Sequence, residues 1–255
     1  MMKFKRKQNK KYTGEQRNTT KVIKEHPEIV YVTEADDWIK ARTENQKKYI
    51  QALRDNDLII SIGPAGTGKT FLCVAAALQA LKEEKISKIV ITRPVVEAGE
   101  HLGYLPGTLE EKINPYLRPI YDAFYSLLGE AETSTLMQNG TIEIAPLAYM
   151  RGRTLEDAFI ILDEAQNTSV EQMHMLLTRM GMGSKVIVTG DVTQIDLPKT
   201  HKSGLVMLKE ILVDIKGVYF QQFTEEDVVR HPLVREIVRA YETWRTKKEN
   251  ESRSR

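Results

Sequence analysis

The chain has a single cysteine, Cys73, and no apolar run near the 18 or so residues that a membrane-spanning helix needs. One cysteine excludes a disulfide framework within the chain, so we expect a reducing, cytoplasmic setting with Cys73 as a buried, inert thiol. The lysine-rich N-terminus lacks the apolar core of a secretion signal. The five histidines show no zinc-site spacing, and no structural metal is expected.

Neither sign of charge dominates the whole chain, because the formal net charge is only +2. The charges are unevenly placed, however: residues 1–11 carry +6 and residues 245–255 carry +3, so the remaining residues carry −7. Basic tails of this kind are either solvated, disordered segments or weak binders of nucleic-acid phosphates. We expect a flexible basic arm over 1–27, one folded domain over 28–244 and a basic tail over 245–255.

Short apolar segments alternate with helical patterns along the folded part of the sequence. Strands are predicted at 58–62, 88–92, 159–163, 185–190 and 218–223, with a further short strand at 28–32. Helices are predicted within 36–55 and at 69–84, 169–180 and 203–213. Apolar strands that alternate with helices predict an α/β fold, in which helices cover both faces of a parallel sheet.

More than sixty residues separate the strands at 88–92 and 159–163, which is far longer than a usual crossover and predicts a functional insertion. Thr108 and Glu111 form a capping box for a helix there, which Pro115 and Pro119 are expected to interrupt or kink. Four aromatic residues of this segment are interpreted as core side chains or, alternatively, as base-stacking platforms. They are Tyr116, Tyr121, Phe124 and Tyr125.

The segment GPAGTGKT, residues 63–70, lies between an apolar strand and an Ala-rich helix. It matches the GxxxxGK pattern followed by Ser or Thr, in which backbone N–H groups at a helix N-terminus point at phosphate oxygens. Lys69 is expected to reach the β- and γ-phosphates, and Thr70 to bind Mg²⁺ through its hydroxyl. The predicted nucleotide-binding residues of this loop are Gly63, Pro64, Ala65, Gly66, Thr67, Gly68, Lys69, Thr70 and Phe71.

Two acidic residues and one amide follow later strands of the same sheet. Asp163 fits a carboxylate ligand on the Mg²⁺ side of the nucleotide, and Glu164 is predicted to accept a proton from the attacking water. An Asp-Glu pair after a strand is otherwise a helix cap. Gln194 follows the strand at 185–190 and is expected to orient that water, because parallel strands end at one edge of a sheet. The alternative for Gln194 is a loop amide without such a role.

Five segments together resemble the PhoH family: GPAGTGKT, TRPVVEAGEHLGYLPG, LAYMRGRTLEDAFIILDEAQN, VTGDVTQIDLP followed by SGL, and RHPLVREIV. The resemblance covers roughly residues 40–243. It implies a P-loop NTPase whose RecA-like core is similar to the first domain of superfamily 1 helicases, and a homo-oligomeric ring, with a hexamer suggested. The family is commonly described as phosphate-starvation-inducible. The resemblance also implies that Gln46 contacts adenine, whereas the sequence alone equally indicates an exposed helix residue.

Helicases of that superfamily close ATP between two RecA-like domains, and we expect no room for a second such domain after residue 243. An arginine that offsets charge in the transition state is worth about 10³ to 10⁵ in rate, and a neighbouring subunit is its simplest source. Arg230 and Arg235 are predicted for that role, with a surface charge as the alternative for Arg235. Three other arginines are expected either to line a nucleic-acid path or to be surface charges. They are Arg93, Arg151 and Arg153.

The sequence therefore favours an ATPase that uses Mg²⁺ with ATP, forms a homo-oligomeric ring and acts on single-stranded nucleic acid, RNA in the first instance and DNA otherwise. Two alternatives stay open. One is a P-loop kinase, although no acceptor-binding motif or arginine-rich lid is evident in the sequence. The other is an oligomeric scaffold that binds ATP with little turnover and engages a protein partner.

Overall fold

A computed structural model describes residues 40–94, 109–198 and 200–229, and part of the segment 233–244. For 109–116 the description covers the backbone only. Several predictions lie outside the described residues: the basic arm, the strand at 28–32, the capping residue Thr108, the arginines Arg230 and Arg235, and the basic tail. Among the described residues, no helix combines the length and apolarity needed to cross a bilayer.

The strands are β1 (Leu58–Ile62), β2 (Lys88–Arg93), β3 (Ile142–Pro146), β4 (Ala158–Leu162), β5 (Lys185–Gly190) and β6 (Val218–Gln222). The helices are α1 (Glu44–Asp55), α2 (Lys69–Lys82), α3 (Leu109–Leu128), α4 (Glu130–Gln138), α5 (Val170–Leu177) and α6 (Gly204–Ile211). All strands pair in parallel in one sheet of order β3-β2-β4-β5-β1-β6.

Helices cover both faces of this sheet. On one face, α1, α2 and α3 pack over strand residues such as Ile59, Ile89 and Ile161. On the other face, α5 and α6 pack over the intervening strand residues, such as Ile60 and Ile160. Because side chains on both faces of the sheet are buried, the central strands appear as continuous apolar runs in the sequence. The prediction of an α/β fold with a doubly covered parallel sheet is confirmed.

The first helix is shorter than the periodicity of 36–55 indicated. It begins at Glu44, because the Thr43 side chain caps it by accepting a hydrogen bond of 3.2 Å from the Gln46 backbone N–H. Within the described residues, the other predicted helices and strands end within three residues of their observed bounds. Sequence patterns therefore located these elements well and their termini less well.

The segment after β2 differs most from prediction. Helix α3 runs unbroken through Pro115 and Pro119, so the expected interruption is wrong, and the alternative of a kink stays a prediction. Its buried side chains Leu117 and Ile120 anchor the helix to the core, which offsets the hydrogen bonds that proline cannot donate. Helix α4 and strand β3 were not predicted. As an edge strand with half-exposed residues, β3 lacks the apolar run that marked the central strands.

The aromatic residues of α3 mainly contribute to the core. Phe124 is fully buried, and Tyr121 packs against the same cluster as the α1 and α2 side chains. Tyr125 is 38% exposed and its ring lies 6.2 Å from that of Tyr121. The side chain of Tyr116 lies outside the described residues. The core interpretation therefore holds for Phe124 and Tyr121.

Candidate active site

A cleft of about 480 Å³ lies at the carboxyl ends of β1, β2, β4 and β5. Three predicted groups line it together: the phosphate loop through Ala65, Gly66 and residues 68–70, the pair Asp163 and Glu164, and Gln194. The sheet order explains the convergence, since β1 and β4 both pair with β5 and so end on the same edge. Residues that are distant in sequence therefore surround one cavity.

The backbone of the phosphate loop depends on two of its glycines. A Cβ added to Gly63 would lie 2.5 Å from the Cβ of Phe223 and 2.8 Å from its carbonyl oxygen, so only glycine fits beside the end of β6. Gly68 precedes α2 with φ 84°, in the left-handed region that glycine adopts without steric cost. These two positions let the chain turn sharply from β1 into the N-terminus of α2.

Lys69 lies at the floor of the cleft with only 8% of its surface exposed. Its Nζ donates hydrogen bonds of 2.7 Å to the Gly63 carbonyl and 2.8 Å to the Pro64 carbonyl. Burial lowers the pKa of Lys69, and the nearby carboxylates Asp191, Asp163 and Glu164 oppose that shift. The loop carbonyls thus hold the ammonium group where the motif places a phosphate-binding lysine.

Asp163 joins the phosphate loop to two strands. Its Oδ1 accepts a hydrogen bond of 2.8 Å from the Thr70 hydroxyl and one of 2.7 Å from the Thr189 hydroxyl. Hydroxyl and carboxylate oxygens are ligand types that Mg²⁺ prefers, and Mg²⁺ usually takes its remaining ligands from water and nucleotide phosphates. Thr70 and Asp163 therefore fit the predicted Mg²⁺ site.

Glu164 has an uncommon backbone conformation, with φ 52° and ψ 38°. Non-glycine residues rarely adopt this left-handed region, and where they do the site is often functional. The Glu164 carboxylate lies in the cleft with two neighbours: its Oε1 is 3.2 Å from an Arg93 guanidinium nitrogen, and its Oε2 accepts a hydrogen bond of 2.5 Å from the Gln166 amide. Both carboxylate oxygens are thus held by the chain's own side chains.

Gln166 is a central residue of the site that sequence reasoning missed. It is fully buried, and its Nε2 donates to Glu164 Oε2 and, at 3.2 Å, to the Gln194 carbonyl. Its Oε1 accepts a hydrogen bond of 3.0 Å from the Asp191 backbone N–H. The only signal was an amide two residues after Glu164, and nothing in the sequence showed which strand's loop it would reach.

The loop after β5 holds Gln194 in place through Asp191. One Asp191 oxygen accepts hydrogen bonds from Thr193, and the other accepts one of 2.7 Å from the Gln194 amide. Burial alone would raise the pKa of Asp191, but these hydrogen bonds and the Lys69 ammonium outweigh it and hold the pKa below its ordinary value. Gln194 therefore lines the cleft in a fixed position, and its water-orienting role stays a prediction.

Gln46 is buried, so the alternative of an exposed helix residue is wrong. Its Nε2 donates a hydrogen bond of 3.0 Å to the Thr67 carbonyl in the phosphate loop, and its Oε1 accepts one of 2.7 Å from the Arg42 backbone N–H. Gln46 therefore supports the phosphate loop from α1. The contact with adenine stays a prediction.

The three further arginines have different surroundings. Arg93 lies in the cleft beside Glu164. Arg153 makes a bidentate ion pair with Glu143, with N···O distances of 2.5 Å and 2.7 Å, and Arg151 is exposed.

The cleft also contains two polar side chains of α3 that sequence reasoning did not assign, Asp122 and Ser126.

Comparison with known proteins gives consistent results. A family model described as "PhoH-like protein" matches residues 38–242. The PhoH-like protein of Bacillus subtilis (strain 168) is 59% identical over 204 residues, which cover 80% of this chain and 64% of that protein. Protein PhoH of Escherichia coli (strain K12) is 45% identical over 205 residues, which cover 80% of this chain and 58% of that protein. The matched region thus spans about three-fifths of these relatives' lengths.

Two solved structures are similar to the chain at low identity. The Hef helicase domain of Pyrococcus furiosus is 15% identical with a TM-score of 0.43, over 72% of this chain and 38% of that chain. The large terminase of a thermophilic bacteriophage, in complex with ADP, is 15% identical with a TM-score of 0.44, over 77% of this chain and 49% of that chain. The parallel sheet of this chain and the loop between β1 and α2 are those of a RecA-like P-loop NTPase.

With residues 38–242 matched by the family model and the Bacillus relative 59% identical, the chain belongs to the family of PhoH-like proteins.

Proposed function

We propose that this chain is an Mg²⁺-dependent ATPase. The observation that carries the proposal is the convergence, in one cleft, of Lys69, the pair Thr70 and Asp163, and Glu164. A phosphate-binding loop alone serves many reactions. A second carboxylate beside the metal-binding aspartate favours water as the acceptor, because it can take up the proton that water loses.

Each group has a specific part in hydrolysis. Lys69 and the backbone N–H groups at the start of α2 bind the β- and γ-phosphates, and Gln46 contacts adenine. Mg²⁺, when bound by Thr70 and Asp163, neutralises charge on the phosphates. Glu164 accepts the proton of the attacking water, and Gln194 orients that water. The catalytic residues are thus Lys69, Glu164 and Gln194, with an arginine to offset transition-state charge.

The proposal extends to a cytoplasmic homo-oligomer that acts on single-stranded nucleic acid, RNA in the first instance. Its support is the resemblance of the family to helicase cores. Arg230 or Arg235 of one subunit would reach the nucleotide of the next subunit and offset charge there.

Steady-state phosphate release from Mg²⁺-ATP tests the proposal, measured at several protein concentrations and titrated with single-stranded RNA and DNA. We expect release that RNA raises, and a specific activity that increases with protein concentration as subunits assemble. Negligible release under all conditions would favour the scaffold alternative. A flat concentration profile from a proven monomer would remove the arginine supplied by a neighbour.

A further inference from the structure

Arg93 is placed close to the proposed reaction centre by the sheet itself. It is the last residue of β2, and its neighbour Thr92 pairs in register with Leu162 of β4, immediately before Asp163 and Glu164. Ile89 and Ile91 of β2 lie in the core beneath α2, and strand residues two apart lie on the same face. The side chain of Arg93 therefore shares a face with α2, whose N-terminus forms the phosphate loop.

The contacts of Arg93 connect it to the predicted proton acceptor. Its guanidinium lies 3.2 Å from Glu164 Oε1, and the two side chains are 19% and 33% exposed. Both residues line the same cleft as Lys69 and Thr70. Partly exposed ion pairs contribute about 0–1 kcal/mol to stability, so giving up the contact with Glu164 costs little.

The charges of the cleft favour an exchange of partners. The cations Lys69 and Arg93 both bind oxygens of the protein, Lys69 on loop carbonyls and Arg93 on Glu164. Nucleotide phosphates add negative charge to a cleft that already contains the carboxylates of Asp163, Glu164 and Asp191. Guanidinium binds phosphate oxygens in a forked geometry that suits them as well as it suits carboxylate.

We infer that Arg93 is a γ-phosphate-binding arginine supplied by the same subunit, an inference that rests on the proposed ATPase activity. When ATP binds, the guanidinium moves from Glu164 to a γ-phosphate oxygen, and the freed Glu164 oxygen becomes available to water. The water oxygen then bonds to the γ-phosphorus as the bond to the β–γ bridging oxygen breaks. The proton of the water passes to Glu164. Arg93 thereby both offsets the developing charge and releases the proton acceptor.

The substitutions Arg93→Gln and Arg93→Lys test this inference through nucleotide affinity as well as turnover. We expect Arg93→Gln to weaken binding of AMP-PNP, which has a γ-phosphate, by about 10-fold or more while ADP affinity stays within about 3-fold. Turnover should fall by about 10³-fold, the lower end for such arginines. Arg93→Lys should retain part of both properties, because it keeps the charge and loses the fork.

Arg153→Gln is the matched control, since Arg153 pairs with Glu143 outside the cleft, and it should leave both affinities unchanged. Equal losses of AMP-PNP and ADP affinity in folded Arg93→Gln, or turnover that is unchanged or raised, would overturn the inference. The affinity ratio needs no hydrolysis. A wild-type chain that binds ATP without turnover would therefore contradict the proposed function and still leave the role of Arg93 measurable.

Discussion

The Thr70 hydroxyl lies 2.8 Å from Asp163 Oδ1, although the two residues are 93 positions apart in the sequence. Thr70 is in the first turn of α2, and Asp163 follows β4 directly. The buried sheet fixes this distance, because β1 and β4 both pair with β5. Their proximity identifies the place where a hydroxyl and a carboxylate can share one Mg²⁺.

Substituting Thr70 by Ala should weaken Mg²⁺-dependent turnover. Groups that only orient metal ligands commonly contribute about 10- to 100-fold to metal affinity or activity, and for a direct ligand we expect a loss of at least that size in an Mg²⁺ titration of ATP hydrolysis. The free energy of unfolding should fall by only about 0.5–1.5 kcal/mol, since one hydrogen bond is lost. Thr70→Ser keeps the hydroxyl and should retain most activity; equal loss in both variants would argue against a metal-binding hydroxyl.

Gln166→Ala should reduce both stability and turnover. The change leaves the buried Asp191 N–H and the partly buried Gln194 carbonyl without the partners that Gln166 supplies, which costs about 1–3 kcal/mol of unfolding free energy. It also frees the Glu164 carboxylate to leave its position, so kcat should fall. Urea denaturation and phosphate release measure the two effects. Gln51→Ala is the control, because within the described part of the chain the Gln51 side chain makes an exposed hydrogen bond to Asp55 on α1, and it should change neither quantity.

The substitution Gly63→Ala adds a methyl group that should distort the phosphate loop. Its Cβ would overlap Phe223, and relieving such overpacking typically costs about 1–3 kcal/mol. ATP affinity, measured by calorimetry, should therefore fall along with stability. Gly140→Ala separates packing from backbone strain, since Gly140 has φ +78° and no atom of the described residues lies within 4 Å of an added Cβ. We expect that variant to lose stability while it binds ATP normally; weakened binding in both would contradict a local effect at Gly63.

The ion pair of Glu143 with Arg153 should give a small pH dependence of stability. The hydrogen bonds from Arg153 hold the pKa of Glu143 below its ordinary value of about 4.3. A carboxylate whose pKa is lowered by folding stabilises the protein above the unfolded value and loses that contribution as pH falls through the folded value. Near neutral pH, the free energy of unfolding of the wild type should exceed that of Glu143→Gln by at most about 1 kcal/mol. The difference should shrink as pH drops below about 4; a pH-independent difference would refute the electrostatic explanation.

The sequence predicted those parts of the site that local chemistry determines. The glycine-rich loop needs a strand before it and a helix after it, and Asp163 and Glu164 follow the most apolar strand. Parallel strands have a common edge, so the convergence of these groups with Gln194 followed from the pattern. The structure places all of them in one cleft.

Features that depend on tertiary packing were not predictable in the same way. An edge position makes β3 half-exposed, and burial against the core keeps α3 continuous through two prolines. Gln166 and Gln46 are polar residues whose buried positions arise from the approach of a neighbouring loop or helix. A single sequence contains no signal for such approaches, because periodicity reports which residues are apolar and not which polar ones meet.

The central claim is that Asp163, Glu164 and Gln194 surround the terminal phosphate of one nucleotide. Its most direct test measures both the ATP turnover and the ATP affinity of Glu164→Gln. The glutamine keeps the size of the side chain and cannot accept the proton of the water. We predict a loss of about 10²- to 10⁴-fold in turnover, the usual contribution of a general base, with the Kd for Mg²⁺-ATP within about 3-fold of wild type. Unchanged turnover in this variant would contradict the account.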